Sequence, residues 1–248
     1  MNPTYPCQIF AHRGANREAT ENTRAAFNKA LNYAIDGIET DVQLSRDEVP
    51  VLWHDRYLDK LGYAQQPIDD FDYAELKQLN FAYNDTQPEA VLSLQEFLNS
   101  YRHRCRLQIE IKNRDWELPH RHEIKVKQCI DSIGDPRDEA VFISSFNLDS
   151  LIFAQHYAPN FPLYYAFDDD EYHTEQDVED ALSNHDFLAG LCLPIEMLNK
   201  SIMELFAKQS KAVITYTCNS DEEISKALAL GVHVLITDNP QKALLIRS

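Results

Sequence analysis

The stretch AIDGIETDVQL (residues 34–44) contains the pattern on which the fold assignment depends: a helical segment ends, a glycine follows, and an apolar strand begins. The same order recurs in FLAGLCLP (187–194) and in LALGVHVLI (228–236). The glycines at these three junctions, which we predict to be left-handed C-caps of the preceding helices, are Gly37, Gly190 and Gly231. Helices that alternate with apolar strands indicate a parallel sheet covered by helices, either a closed barrel or an open doubly wound sheet.

Eight apolar runs are candidates for the strands of this sheet, and most are apolar throughout, as strands buried on both faces should be. They are Gln8–His12, Gly37–Leu44, Arg106–Ile111, Val141–Ser145, Pro162–Ala166, Ala189–Leu193, Ala212–Tyr216 and His233–Thr237. A barrel of eight βα units needs roughly 250 residues, and the chain has 248. We therefore predict an α/β fold, a TIM-type (β/α)8 barrel that forms a single domain over residues 1–248. Residues from about 55 to 105 contain no strand of comparable strength, and we predict a small helical insertion there, after the second βα unit.

Composition excludes several classes of function. A net charge of −17 disfavours nucleic acid and anionic membrane surfaces as partners, because both require clustered Lys and Arg. The five cysteines form no CxxC pair, which indicates reduced thiols and no zinc module. The N-terminus lacks the basic and apolar regions of a signal peptide, and no apolar stretch approaches the ~20 residues that span a bilayer. We expect a cytoplasmic protein without membrane insertion, and the sequence leaves its oligomeric state open.

Polar residues at the predicted carboxyl ends of the strands form a candidate site, because barrels carry function at that end. Glu39 and Asp41 lie two residues apart on one strand, as do Glu110 and Lys112 on the next, so each pair shares a face. Three carboxylates in a low-dielectric barrel mouth repel one another unless a cation lies between them. We therefore expect Glu39, Asp41 and Glu110 to bind one divalent cation. An all-oxygen ligand set favours Mg²⁺ or Ca²⁺, with Mn²⁺ as a further candidate.

Eight short motifs, taken in order, resemble the glycerophosphodiester phosphodiesterase family. They are HRG (12–14), ENT (21–23), AF (26–27), GIETDV (37–42), VPVLWHD (49–55), IEIK (109–112), SSF (144–146) and LITDNP (235–240). The ordered set HR, ExD, HD and ExK is the specific part of this match. The resemblance implies a TIM-type barrel with a divalent ion at the three carboxylates. It also implies that His12 and His54 are the catalytic acid/base pair and that Arg13 and Lys112 bind the substrate phosphate.

The residue types suit phosphodiester hydrolysis. The anionic diester requires charge neutralisation, which the cation, the guanidinium fork of Arg13 and the ammonium of Lys112 can supply. One histidine can accept a proton from the nucleophile while the other donates one to the leaving oxygen. The nucleophile is either water or the neighbouring glycerol hydroxyl, and the latter gives a cyclic phosphate. The expected products are an alcohol and glycerol 3-phosphate, which places the reaction in lipid and glycerol metabolism.

Three features depart from the family pattern. Thr20 precedes ENT where proline is usual, RYLDKLGYAQQ (56–66) replaces a run that often contains RTT and glycine, and Tyr216 stands where a tryptophan is common. We expect these residues to affect the choice of leaving alcohol and not the chemistry, and we expect Tyr216 to line the pocket. The acidic run 168–171 after the fifth strand is interpreted as a solvated loop.

Two alternatives remain open at this point. Lys112 could form a Schiff base in an aldolase-type or lyase reaction on the same fold, although adjacent carboxylates oppose the depressed pKa that such a lysine needs. A barrel that binds phosphodiesters without catalysis is the other alternative. The presence of both His12 and His54 argues against it, since a binding protein needs cations but no acid/base pair.

Overall fold

The computed structural model describes residues 7–113, 117–135, 140–168 and 173–248. Its strands are β1 (Gln8–His12), β2 (Gly37–Leu44), β3 (Pro50–Leu52), β4 (Tyr57–Leu58), β5 (Tyr63–Pro67), β6 (Arg106–Ile111), β7 (Val141–Ser145), β8 (Leu163–Ala166), β9 (Gly190–Pro194), β10 (Ala212–Tyr216) and β11 (Val234–Thr237). The α-helices are α1 (Arg24–Ala30), α2 (Tyr73–Leu76), α3 (Leu94–Tyr101), α4 (Pro119–Ile133), α5 (Leu148–Tyr157), α6 (Glu175–Asn184), α7 (Lys200–Gln209), α8 (Asp221–Leu230) and α9 (Pro240–Arg247).

Eight strands form a closed parallel barrel, in the order β1, β2, β6, β7, β8, β9, β10 and β11. β1 closes it by pairing with β11 on one side and with β2 on the other. Helices lie between successive strands, so the predicted TIM-type barrel is confirmed. Five of the eight predicted strands have the predicted bounds, two begin one residue later than predicted, and β9 is shifted by one residue at both ends.

Side chains at the helix N-termini fix where the helices begin. The Thr23 hydroxyl accepts from the Ala26 amide at α1, and capping boxes that begin at Thr174 and Ser220 are present at α6 and α8. Each box satisfies backbone donors that the first turn would otherwise leave unpaired. These local signals explain why the helix starts were predictable from sequence.

The core consists of two apolar layers, one on each side of the barrel wall. The outer layer lies between strands and helices and includes Phe27 and Phe97, whose ring centroids are 4.7 Å apart. The inner layer fills the barrel with side chains that include Phe10, Phe142 and Ile214. Burial on both faces accounts for the apolar strands.

The glycines before the strands serve two different purposes. Gly231 has a φ of +72° and is the left-handed C-cap of α8, as predicted. The prediction is wrong for Gly37 and Gly190, which are the first residues of β2 and β9 and do not have positive φ. A Cβ on Gly37 would lie 2.3 Å from the Phe10 ring, and one on Gly190 would lie 2.0 Å from a carbonyl oxygen of β10. Close packing, not backbone conformation, therefore requires glycine at these two positions.

The connection from β2 to β6 is the longest in the barrel. It contains β3, antiparallel to β2, a hairpin of β4 and β5, and α2. These residues surround their own apolar cluster, which includes Trp53, Leu76 and Phe81, whereas α3 packs into the outer layer of the main core. Hairpin and cluster lie beside the carboxyl end of β2, where they reach the mouth of the barrel.

Two further findings concern the sequence-based expectations. None of the helices in the described ranges is long and apolar enough to cross a membrane. Of the acidic run 168–171, only Asp168 falls within the described residues.

Candidate active site

A cavity of about 540 Å³ opens at the carboxyl ends of the strands, where the sequence places the polar motifs. All of the predicted catalytic and phosphate-binding residues contribute to its wall, as do Glu39 and Glu110. Phe146 and Tyr216 add aromatic side chains to this wall, and Gln43 and Asp55 add polar ones. Asp41 lies directly behind this wall and is fully buried.

The three carboxylates predicted to bind a cation converge. Asp41 of β2 and Glu110 of β6 are register partners, and Glu39 lies two residues earlier on the same face of β2. One oxygen from each carboxylate lies within 4.8 Å of the other two. Glu39 and Asp41 are only 2% and 0% exposed, so water does not screen their repulsion.

Two cations compensate Asp41. Arg13 Nε lies 3.0 Å from Asp41 Oδ2, and Lys112 Nζ lies 3.1 Å from Oδ1 and also contacts Glu110. Burial by itself raises the pKa of Asp41, but these two cations outweigh it and hold that pKa well below its usual range. The two cations therefore favour the ionised form of Asp41.

Glu39 has no comparable partner. The amide of Arg13 donates to Oε2 at 3.2 Å, but Oε1 is buried without a hydrogen-bond partner among the residues that the structure describes. Burial first, and then the charges of Asp41 and Glu110, raise the pKa of Glu39 well above its usual value. A buried carboxylate oxygen without a donor, next to two further carboxylates, fits the coordination demand of a hard divalent cation.

His12 is held by a residue from the other end of the chain. Asp238 directly follows β11, and its Oδ1 lies 2.6 Å from His12 Nδ1. The other ring nitrogen of His12, Nε2, lies 3.9 Å from Glu39 Oε2. Asn16 and Asn219 donate to the same Asp238 carboxylate at 2.6 and 2.7 Å. Burial raises the pKa of Asp238, but the bonds from His12 and the two amides outweigh this effect and lower it. Since an ionised carboxylate only accepts, His12 carries its proton on Nδ1 and directs Nε2 toward the carboxylates.

His54 has the same kind of arrangement. Its Nδ1 lies 2.7 Å from Asp55 Oδ1, and this hydrogen bond, with the ammonium of Lys60, lowers the pKa of Asp55 to about 2. Gln43 of β2 donates its amide to the backbone carbonyls of Trp53 and His54 at 3.1 and 3.0 Å. The barrel strand thereby fixes the backbone that presents the second histidine.

Tyr216 ends β10 and lines the cavity. Its hydroxyl donates to the carbonyl of Phe167, and its ring stands nearly perpendicular to that of Phe146, with centroids 6.0 Å apart. The hydroxyl is therefore engaged with backbone, and the aromatic faces form an apolar wall.

Sequence reasoning assigned no role to the residues that position the two histidines. These residues are Asp238, which contacts His12, Asn219, which contacts Asp238, and Gln43, which contacts the backbone of His54. A signal existed for Asp238, which follows β11 directly within LITDNP, at the end of the barrel where functional residues lie. No comparable signal distinguishes Gln43 from other polar strand residues.

Comparisons with known proteins agree with this geometry. Residues 12–242 match the model of the Glycerophosphoryl diester phosphodiesterase family. A glycerophosphodiester phosphodiesterase of Bacillus altitudinis is 30% identical over 247 residues, which cover 97% of this chain and 98% of that protein.

Two solved structures are similar over their whole length. A phosphodiesterase of Oleispira antarctica, in complex with the product sn-glycerol-3-phosphate, is 26% identical with a TM-score of 0.82, covering 99% of this chain and 96% of that one. A glycerophosphodiester phosphodiesterase of Agrobacterium tumefaciens is also 26% identical, with a TM-score of 0.78 and coverage of 96% and 99%. Because the family model spans nearly all of the sequence, this chain belongs to the glycerophosphoryl diester phosphodiesterase family and is an enzyme of that class, as its motifs predict.

Proposed function

We propose that this chain hydrolyses glycerophosphodiesters to an alcohol and glycerol 3-phosphate, with one divalent cation and an acid/base pair of histidines. The observation that carries the proposal is the convergence of three carboxylates within 4.8 Å, beside two histidines that each have Nδ1 bound to an aspartate. The glycerol 3-phosphate in the Oleispira antarctica complex is described as the product of that protein, which supports the same substrate class here.

Glu39, Asp41 and Glu110 would hold the cation, for which Mg²⁺ and Ca²⁺ fit best and Mn²⁺ is a further candidate. When bound, the cation would neutralise negative charge on the phosphoryl oxygens. Of these ligands, Asp41 is already paired with the side chains of Arg13 and Lys112, which hold its pKa well below the usual range.

Arg13 and Lys112 would bind the substrate phosphate. Both side chains line the cavity and both are already drawn to Asp41, so their positive charge is fixed beside the cation site. The guanidinium offers a planar fork to two phosphate oxygens, and the ammonium acts as a point charge. Preorganised cations of this kind stabilise charge that develops in the transition state.

His12 and His54 would transfer the protons. With Nδ1 protonated against Asp238 or Asp55, each ring keeps Nε2 for exchange with the substrate. One Nε2 accepts the proton of the nucleophile, and the other donates a proton to the leaving oxygen. The nucleophile is water or the adjacent glycerol hydroxyl, and trapping of a cyclic phosphate would distinguish them.

Lys112 is poorly suited to the alternative Schiff-base chemistry. Burial by itself lowers the pKa of Lys112, but the charges of Asp41 and Glu110 outweigh burial and raise the pKa above its usual value. A lysine that is protonated and doubly paired is a poor nucleophile. Borohydride trapping of a carbonyl substrate should accordingly give no adduct.

The physiological setting is part of the same proposal. The partner would be a small glycerophosphodiester and not a nucleic acid, in the cytoplasm, as a step of lipid and glycerol metabolism. The connection from β2 to β6, which supplies His54 and Asp55 to the cavity, would limit the size of the leaving alcohol. Shortening its β4–β5 hairpin should change headgroup preference more than hydrolysis of the smallest diester, whereas equal losses for all substrates would indicate a structural role only.

The direct test is release of glycerol 3-phosphate. Chelator-treated protein is incubated with Mg²⁺, Ca²⁺ or Mn²⁺ and a panel of glycerophosphodiesters that differ in the alcohol. We expect turnover only with added cation. Turnover at the normal rate without cation would contradict the metal assignment, and tight binding of the diesters without any turnover would support the non-catalytic alternative.

A further inference from the structure

Lys60 belongs to the long connection and is not part of the proposed chemistry. It lies in a single 3₁₀ turn, Asp59–Leu61, between β4 and β5. Its ammonium lies 2.7 Å from Glu21 Oε1, 2.9 Å from Asp55 Oδ2, and 5.9 Å from the centre of the Trp53 ring. Two carboxylates and an aromatic face therefore fix a side chain that is 36% exposed.

The two carboxylates that Lys60 joins each hold a functional side chain. The other oxygen of Asp55 binds His54 Nδ1 at 2.7 Å, and the other oxygen of Glu21 binds Arg13 Nη1 at 2.8 Å. A chain of alternating charges thus runs from the second histidine to the phosphate-binding arginine, and Lys60 is its central cation.

Without Lys60, both carboxylates lose a partner. Burial raises the pKa of Glu21, but Arg13 and Lys60 together outweigh this effect and lower it. Asp55 has a side chain that is 33% exposed, so its remaining bond to the equally accessible His54 would leave both side chains free to rotate. Small errors in the orientation of an acid/base group lower the rate strongly.

We propose that Lys60 is a positioning residue, which acts through Asp55 on the ring orientation of His54 and through Glu21 on Arg13. Lys60 stands in the segment 56–66, where this chain departs from the family pattern, and thereby connects the β4–β5 hairpin to the site. The expected kinetic effect rests on the proposed function, whereas the contacts of Lys60 do not depend on it.

Three variants test the proposal. Lys60→Met removes the charge and keeps the length, Lys60→Arg keeps the charge, and Lys77→Met is the matched control. Lys77 lies in the same connection, is 31% exposed, pairs with Glu96 at 3.2 Å, and lies outside the cavity wall. We expect Lys60→Met to lower kcat by about 10- to 100-fold with a smaller change in KM, the usual range for a supporting residue. Lys60→Arg should recover much of this loss, and Lys77→Met should keep the wild-type kcat.

A double-mutant cycle identifies the route of the effect. Asp55→Asn together with Glu21→Gln removes both carboxylates through which Lys60 acts, so Lys60→Met should add little to the loss in that background. A purely structural role would instead make the two losses multiply. Multiplying losses, or an unchanged kcat in Lys60→Met, would overturn the proposal.

Exchange of the His54 Nδ1 proton with water gives a measurement that does not depend on activity. NMR of ¹⁵N-histidine-labelled protein, assigned with His54→Ala, should show faster exchange in Lys60→Met than in wild type and Lys77→Met. Unchanged exchange would refute the role of Lys60 even if the enzyme were inactive. Absence of turnover by the wild type on every diester would refute the proposed function and leave the exchange result to decide about Lys60.

Discussion

Replacement of Asp238 by asparagine should lower kcat without preventing folding. Three side chains donate hydrogen bonds to this carboxylate. Its Oδ1 accepts from His12 Nδ1 and from the amide of Asn16, and its Oδ2 accepts from the amide of Asn219. Flipping the Asn219 side-chain amide would break a hydrogen bond, because its Oδ1 accepts from the backbone amide of residue 238 at 3.0 Å. An asparagine at position 238 therefore either opposes the Asn219 amide with a second donor or turns its donor toward His12. In the second case His12 adopts the other tautomer, with the proton on Nε2.

The expected loss follows from the bond that is removed. A hydrogen bond to an ionised group contributes about 1.5–3 kcal/mol. This bond stabilises His12 mainly when the ring becomes charged in the transition state, so its loss raises the barrier by the same amount. Because 1.36 kcal/mol corresponds to a factor of ten in rate, kcat should fall by between about 10-fold and about 150-fold. The wrong tautomer would add to this loss. KM should change less, since Asp238 does not line the cavity.

The assay is steady-state release of glycerol 3-phosphate, together with thermal unfolding. Asp36→Asn is the matched control, because the Asp36 carboxylate is also held by hydrogen-bond donors, the backbone amide of Ile9 at 2.8 Å and the side chain of Arg247, at the opposite end of the barrel. Both variants should lose some stability, but only Asp238→Asn should lose kcat. An unchanged kcat in Asp238→Asn, or equal losses in the two variants, would refute the inference that Asp238 fixes the tautomer of His12.

Three further outcomes are expected. Chelation should abolish activity, and Glu39→Gln should have the same effect because it removes a ligand of the cation. Calorimetry measures the cation affinity of this variant, and an affinity equal to that of the wild type would exclude Glu39 as a ligand. His12→Ala and His54→Ala should each lower kcat by roughly 10²–10⁴-fold with little change in cation affinity, and with p-nitrophenolate as leaving group the variant that lacks the general acid should recover much of its rate. Gly190→Ala should lower the free energy of unfolding by about 1–3 kcal/mol or more in urea titrations, because its Cβ would meet the Ala212 carbonyl oxygen; a neutral effect would mean that β9 and β10 can separate without cost.

Asp41 and Glu39, which share one face of β2, differ in how their charge is compensated. Asp41 is compensated by Arg13 and Lys112, whereas Glu39 is left with a buried oxygen and no donor among the described residues. The barrel thus neutralises Asp41 with its own side chains, whereas Glu39 has no comparable compensation. Two carboxylates of the same strand face therefore differ in chemistry.

Local patterns of the sequence were enough to predict the barrel and its strands, because the apolar runs of strands that are buried on both faces consist of residues close together in the chain. The converging residues Glu39, Asp41 and Glu110 were also predictable, since spacing by two and the common end of parallel strands bring them together. The order of the short motifs along the chain likewise identified the family, because each motif consists of residues adjacent in sequence.

The partners of these residues depend on contacts between distant parts of the chain. His12 and Asp238 are 226 positions apart and meet only because β1 pairs with β11 to close the barrel. The tight approach at Gly190 and the contact from Lys60 to Glu21 depend in the same way on packing. Sequence spacing specifies which face of a strand a side chain occupies, but hydrogen bonds and steric contacts depend on distances of a few tenths of an ångström, which arise only once the strands and loops are assembled.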